Sequence, residues 1–268
     1  MMIKAAVGNM IKKLSIGAIT DKISSIVDAK RLNSVSGRSG DQIIELNCAV
    51  DELLESYSLA QDTIYSLSRQ LKKNNLYAIM ALVEALNAKD PYTRGHSERV
   101  SIYSLILSEK LQMTDEEIDS IYIASYLHDI GKIGIHENVL NKPERLTRDE
   151  YEHVKSHPTI SGQIVSRLPS LEHIASVVRH HHERHDGGGY PDGLKGADIP
   201  LGSRILAIAD AFDAMTSDRP YRTAFNAKEA LSEIHRYSGQ QFDPDLTPLF
   251  IDAYVNSYGD RLPNIEAS

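Results

Sequence analysis

Three histidines in succession, His180, His181 and His182, are followed closely by Glu183, Asp186 and the run Gly187-Gly188-Gly189. Each neutral imidazole brings one donor and one acceptor that must be satisfied, so stacked histidines are awkward in a core. They make sense as ligands, because neutral imidazole suits divalent transition metals. The plainer alternative is a solvated, histidine-rich helix end closed by a glycine turn.

The other histidines weaken that alternative. All eleven lie between His96 and His235, and ten lie between His96 and His185. His96 stands in Thr93-Arg94-Gly95-His96-Ser97-Glu98-Arg99. His128 and Asp129 precede Ile130-Gly131-Lys132, and His157 precedes Pro158. A lone Asp210 sits in the apolar run Ile205 to Phe212, where an unpaired carboxylate would be costly to bury and a metal would compensate it.

Composition narrows the classes. A chain of 268 residues allows one large domain, or one domain plus an extension. The single Cys48 excludes a disulfide framework and an all-cysteine zinc site, and fits a reducing cytoplasm. No apolar run approaches the ~20 residues of a membrane span, and Met1 to Met10 lacks the pattern of a signal peptide. A net charge of −8 argues against binding to a nucleic-acid polymer. Residues 1–40 are basic by contrast, with Lys4, Lys12, Lys13, Lys22, Lys30, Arg31 and Arg38 against Asp21 and Asp28. Contact with anionic lipid is one reading of this stretch, but the short apolar face favours a solvated helix.

Read in order, residues 3–29 have helical spacing, and 33–40 form a linker, with Asp41 as the cap of the next helix. From Ile43 the apolar positions step by three and four through Leu46, Val50, Leu53, Tyr57, Ala60, Ile64, Leu67 and Leu71. This seam predicts a parallel dimeric coiled coil over 41–73, with a helical hairpin against residues 3–29 as the alternative. The pattern shifts near Asn74-Asn75, which places a boundary between an extension, 1–75, and a catalytic domain, 76–268. Leu76 to Leu86 is a core-facing helix ending at Asp90-Pro91, and His96 opens the next. Thr114 with Glu117, and Thr147 with Glu150, are capping boxes. The second opens a helix expected to reach His157. Ser170 is a cap for the helix leading into His181 and His182, Arg204 to Thr216 is an apolar helix, and Asn226 caps another that stops at Gly239. The last begins at Asp243-Pro244. No strand is apparent, and the domain reads as all-α.

Five elements therefore bring candidate ligands near helix ends. Adjacent side chains such as His128 and Asp129 point about 100° apart, so one metal can take the histidine while the carboxylate bridges two. Imidazoles with carboxylates suit iron, manganese or a similar ion. Two such ions would lower the pKa of a bridging water and clamp a phosphoryl group. Lys132 lies about one turn beyond His128, where it could neutralise a phosphate oxygen.

Three long motifs resemble the HD-GYP branch of the HD phosphohydrolases: His128 to Lys132, His181 to Pro191, and Gly196 to Asp210 continuing to Arg219-Pro220-Tyr221-Arg222. Gln241-Phe242-Asp243-Pro244 matches the family's closing motif. The resemblance runs from about Leu76 to Phe250. It implies an all-helical bundle and metal-dependent hydrolysis of cyclic di-GMP to the linear dinucleotide or GMP. Its ligands would be His96, His128 and Asp210 for one metal, His157, His181 and His182 for the other, and Asp129 as the bridge. Lys132, Gly189, Tyr190, Arg219 and Arg222 resemble substrate contacts. Members with a third metal carry a glutamate where this chain has Tyr92, so the resemblance points to the binuclear subclass. His136, His153, His173, His180, His185 and His235 are read as non-ligands. Two further readings stay open: a related nucleotide as substrate, or a silent module that binds nucleotide or partner.

Overall fold

The computed structural model describes residues 40–89, 95–142, 144–218 and 223–259. They fold into ten α-helices: α1 Gly40–Lys89, α2 His96–Lys110, α3 Asp115–Leu127, α4 Glu137–Leu140, α5 Arg148–Val154, α6 His157–Ser166, α7 Ala175–Arg179, α8 Leu201–Thr216, α9 Ala227–Arg236 and α10 Leu246–Tyr258. Short 3-10 turns cover Ile130–Gly134, Glu172–Ile174 and Gly196–Asp198. Among the described residues there is no strand, only an isolated bridge between Ser238 and Phe242. The all-α expectation holds. No described helix is long and apolar enough to cross a membrane.

The chain divides into two units at Leu71/Lys72. The described part of the first is the leading stretch of α1. Its apolar side chains face solvent, with Leu53 51%, Ile64 55% and Leu71 62% exposed. Helix α1 runs through Asn74-Asn75 without a break. A shift in the seam changes which face is apolar but leaves every backbone hydrogen bond intact, so it does not end a helix. Residues 1–39, with the helix expected at 3–29, lie outside the described residues.

In the second unit, α2 packs on α3, α8 and α10. The aromatic centre of this core is Phe212, fully buried, with Tyr103 edge-on at 4.9 Å and Phe250 at 5.4 Å. Burying each such ring contributes roughly 1.5–3 kcal/mol, which fixes α8 as the central helix. Ile79, Val83 and Leu86 seal the same core. Capping boxes start α3 at Thr114, α5 at Thr147 and α9 at Asn226.

Several boundaries differ from the sequence reading, three of them next to residues of interest. Helix α5 stops at Val154, and His157 begins α6 with Pro158 in its first turn, where the missing N–H is no loss. Ser170 caps nothing: Leu171 precedes a 3-10 turn, α7 ends at Arg179, and His181 and His182 lie beyond its end. Helix α10 starts at Leu246 rather than at Pro244, because the Asp243 carboxylate accepts from the backbone N–H of Asp245 (2.8 Å) and Leu246. That local turn competes with helix at Pro244.

Candidate metal centre

Three of the histidines are oriented by the same local device. His128 Nδ1 donates to Ser125 O (2.6 Å), His157 Nδ1 to Val154 O (2.7 Å) and His181 Nδ1 to Val178 O (2.6 Å). Each acceptor lies three residues back, on a carbonyl at or near a helix end that lacks an intrahelical partner. The proton is thereby held on Nδ1, and the Nε2 lone pair faces inward.

His96 reaches the same place from the start of α2. Its Nδ1 lies 2.7 Å from Asp213 Oδ2, and its Nε2 lies 3.3 Å from both His128 Nε2 and Asp210 Oδ1. Asp129 is central. Its Oδ1 is 3.2 Å from His157 Nε2, and its Oδ2 is 3.5 Å from His128 Nε2, 3.7 Å from His96 Nε2 and 2.7 Å from Lys132 Nζ. The ligating atoms of His96, His128 and Asp129 lie within 4.8 Å of one another, and so do those of His157, His181 and His182. All seven residues of the expected ligand set thus converge on one centre.

Burial makes three of these histidines poor homes for a proton, and the buried carboxylates make the centre a good home for cations. Burial holds His128 and His181 below the usual imidazole range, and holds His182 down at about 4. At His96 burial acts the same way, but Asp210 and Asp213 outweigh it and lift the ring to about 9. Asp129 is buried as well, yet Lys132 and His128 keep its carboxyl well below the carboxylate range. His157 Nε2 and His181 Nε2 are buried without a hydrogen-bond partner. Asp129 Oδ1 approaches His157 Nε2 to 3.2 Å without hydrogen-bond alignment. Inward-facing buried lone pairs beside two carboxylates are what a divalent ion requires, so the residues fit a metal.

A cavity of about 1080 Å³ opens over the centre. Tyr190 lines it, with its ring 5.0 Å from that of His182. Among the described residues Gly189 does not line it. A side chain there would strike the backbone of Glu183 and Arg184, so Gly189 serves close packing instead. Gly131 is confined in the same way against His157 O and Ser161 N, and its own N–H donates to Ser161 Oγ (2.8 Å). Arg219 and Arg222, and Asp90 and Tyr92, lie outside the described residues.

Two contributors escaped sequence reading. Asp213 orients His96, and Arg99 holds Asp213 through Nε (2.5 Å) and Nη2 (3.1 Å). The signal was present: Asp213 is three residues after Asp210, and Arg99 three after His96, so each shares a helix face with a candidate ligand. Of the histidines set aside, His180 belongs to a third group with Glu183 and Asp192. Arg179 occupies both Asp192 oxygens (2.7 and 2.8 Å), which makes that group an ion-pair network.

The HD domain family matches residues 81–246. The chain belongs to that family. The HD-GYP assignment drawn from its motifs stands with it. Relatives of this HD-domain chain include a cyclic di-GMP phosphodiesterase of Thermotoga maritima, 41% identical over 66% of this chain and 49% of the relative. A cyclic di-GMP phosphodiesterase response regulator of Xanthomonas campestris pv. campestris is 39% identical over 70% of this chain and 50% of its own length. A 3'3'-cGAMP-specific phosphodiesterase of Vibrio cholerae is 37% identical over 62% of this chain and 36% of the relative. The HD-domain chain therefore spans about half the length, or less, of these curated relatives.

Proposed function

We propose that the chain is a metal-dependent phosphodiesterase that hydrolyses cyclic di-GMP, giving the linear dinucleotide pGpG, GMP or both. The observation that carries this reading is the convergence of seven ligand-type side chains, with Lys132 beside them, at a cavity large enough for a dinucleotide. One ion would take His96, His128 and Asp210, the other His157, His181 and His182, with Asp129 between them. Iron or manganese suits that donor set. Two such ions would supply the charge that activates a water and polarises the phosphodiester.

The chain's own residues do the rest. Asp213 and Arg99 fix His96, and the carbonyls of Ser125, Val154 and Val178 fix the rings of His128, His157 and His181. Lys132 supplies a cation for a non-bridging phosphate oxygen. Tyr190, packed on His182, covers one side of the centre and limits water there. Arg219 and Arg222 are proposed as further substrate contacts on their motif alone.

The Vibrio cholerae relative favours one alternative, 3'3'-cGAMP as substrate. Chromatography of products after anaerobic loading with iron or manganese, run on both cyclic dinucleotides, separates the two. Turnover of neither would leave the chain as a nucleotide-binding module, a reading that its complete ligand set disfavours.

We further infer that residues 41–73 pair with a second copy of the chain as a parallel coiled coil. The support is the exposed row Leu53, Ile64, Leu67 and Leu71 on one continuous helix.

A further inference from the structure

Five lysines and arginines among the described residues line the cavity: Arg99, Lys132, Lys142, Arg145 and Arg184. Four are engaged. Arg99 is bound by Asp213 and Lys132 by Asp129, Lys142 meets both oxygens of Glu150 (2.7 and 2.8 Å), and Arg184 is held by Asp186 and Gln241. Arg145 makes no ion pair or hydrogen bond with any described residue. It is exposed, on the segment between α4 and α5, and it shares its wall with Val139, Leu140 and Leu146. Glu144 beside it is exposed as well and is not bonded to it.

This distribution has a chemical consequence. A cyclic dinucleotide carries two phosphodiesters on opposite sides of its ring, each with one negative charge. Only one can lie at the metal centre at a time. The other enters a cavity whose walls already hold Glu144, Asp218 and Glu233. It needs a cation that is not already bound to a carboxylate. A guanidinium is the suitable group, because its fork matches two phosphate oxygens at once.

We propose that Arg145 anchors the second, non-reacting phosphodiester of the substrate. The inference rests on the cyclic dinucleotide reading above and deepens it. Arg145 touches no reacting atom, so its contact is the same before and during bond cleavage. Such uniform binding acts on KM and leaves kcat alone.

The test compares native chain, Arg145→Ala and Arg145→Lys, all metal-loaded, on two substrates. One is the cyclic dinucleotide that the native chain hydrolyses. The other is bis(p-nitrophenyl) phosphate, which has a single phosphodiester and no second charge to anchor. Arg145→Ala is expected to raise KM for the cyclic dinucleotide by about 10-fold or more, with kcat within about twofold. Arg145→Lys recovers part of that loss, and the ratio of activities on bis(p-nitrophenyl) phosphate stays near one. An unchanged KM for the cyclic dinucleotide overturns the proposal. So does an equal loss on both substrates, which would mean that Arg145 acts on the centre or on the fold. If the native chain cleaves bis(p-nitrophenyl) phosphate but no cyclic dinucleotide, it is the functional reading that fails, and this inference falls with it.

Discussion

Asp213 Oδ2 lies 2.7 Å from His96 Nδ1, and this contact decides which nitrogen of His96 faces the centre. A carboxylate behind a ligand histidine fixes the ring's tautomer and raises its basicity. Asp213→Ala is therefore expected to weaken metal binding by about 10- to 100-fold, since loss of such a partner has that effect on other metal sites. Competition with a chromophoric chelator measures it. Unaltered affinity would mean that Arg99 and Asp213 serve only to join α2 to α8.

Asp129 touches both histidine groups. Asp129→Ala should abolish turnover and lower bound metal from two ions per chain to less than one. Elemental analysis after desalting gives the count. Retention of both ions by the variant would overturn the bridging role proposed for Asp129. A third ion in the native chain would contradict the binuclear assignment.

Lys132 should behave differently. Lys132→Ala is expected to keep both ions yet slow hydrolysis by about 10²- to 10³-fold, as for other groups that stabilise developing charge. Metal content and kcat measured on one preparation separate the two effects. A variant that loses its metal would show that the lysine is structural.

The exposed row on α1 predicts a dimer. Leu53→Asp combined with Ile64→Asp should convert a dimer to a monomer at micromolar concentration, as read by light scattering. A native chain that is already monomeric, or a dimer untouched by both substitutions, rules the coiled coil out. A hairpin with residues 3–29 would then be the better account of the seam.

Away from the centre, hydrogen bonds from Arg179 and His180 hold the Asp192 carboxyl at about 2, below its ordinary 3.8. A depressed carboxylate adds stability above its unfolded value, and that stability is lost as pH falls through the folded value. Asp192→Asn should therefore lower the urea midpoint above about pH 4, with the gap closing as pH falls from 3.8 to 2. A gap that stays the same from about pH 4 down to pH 2 would contradict the pairing.

The residues that converge were legible in the sequence because His128, Asp129, His157, His181 and His182 sit in short motifs whose meaning is local. Helix starts were legible for the same reason: Thr114, Thr147 and Asn226 each act within one turn. Helix ends were less so. Lys155-Ser156 turns the chain before His157, and the Asp243 side chain delays α10, in both cases through contacts that propensity does not record. Asp213 and Arg99 were missed because their partnership spans 114 residues and exists only once α2 and α8 are packed together. Arg145 carries no motif at all. Its significance comes from what the other cations in the cavity are already bound to.

The pairing of Lys132 Nζ with Asp129 Oδ2 gives metal uptake a particular character. An ion that takes this oxygen takes it from an ammonium group, so loading the centre is an exchange of one cation for another. The local charge then rises by less than the full charge of the incoming ion if the lysine withdraws toward solvent. If instead the lysine stays, it shares the Asp129 carboxylate with the ion, and an arriving phosphate adds counter-charge. In that second case metal and substrate each improve the other's binding, with Lys132 as the coupling between them.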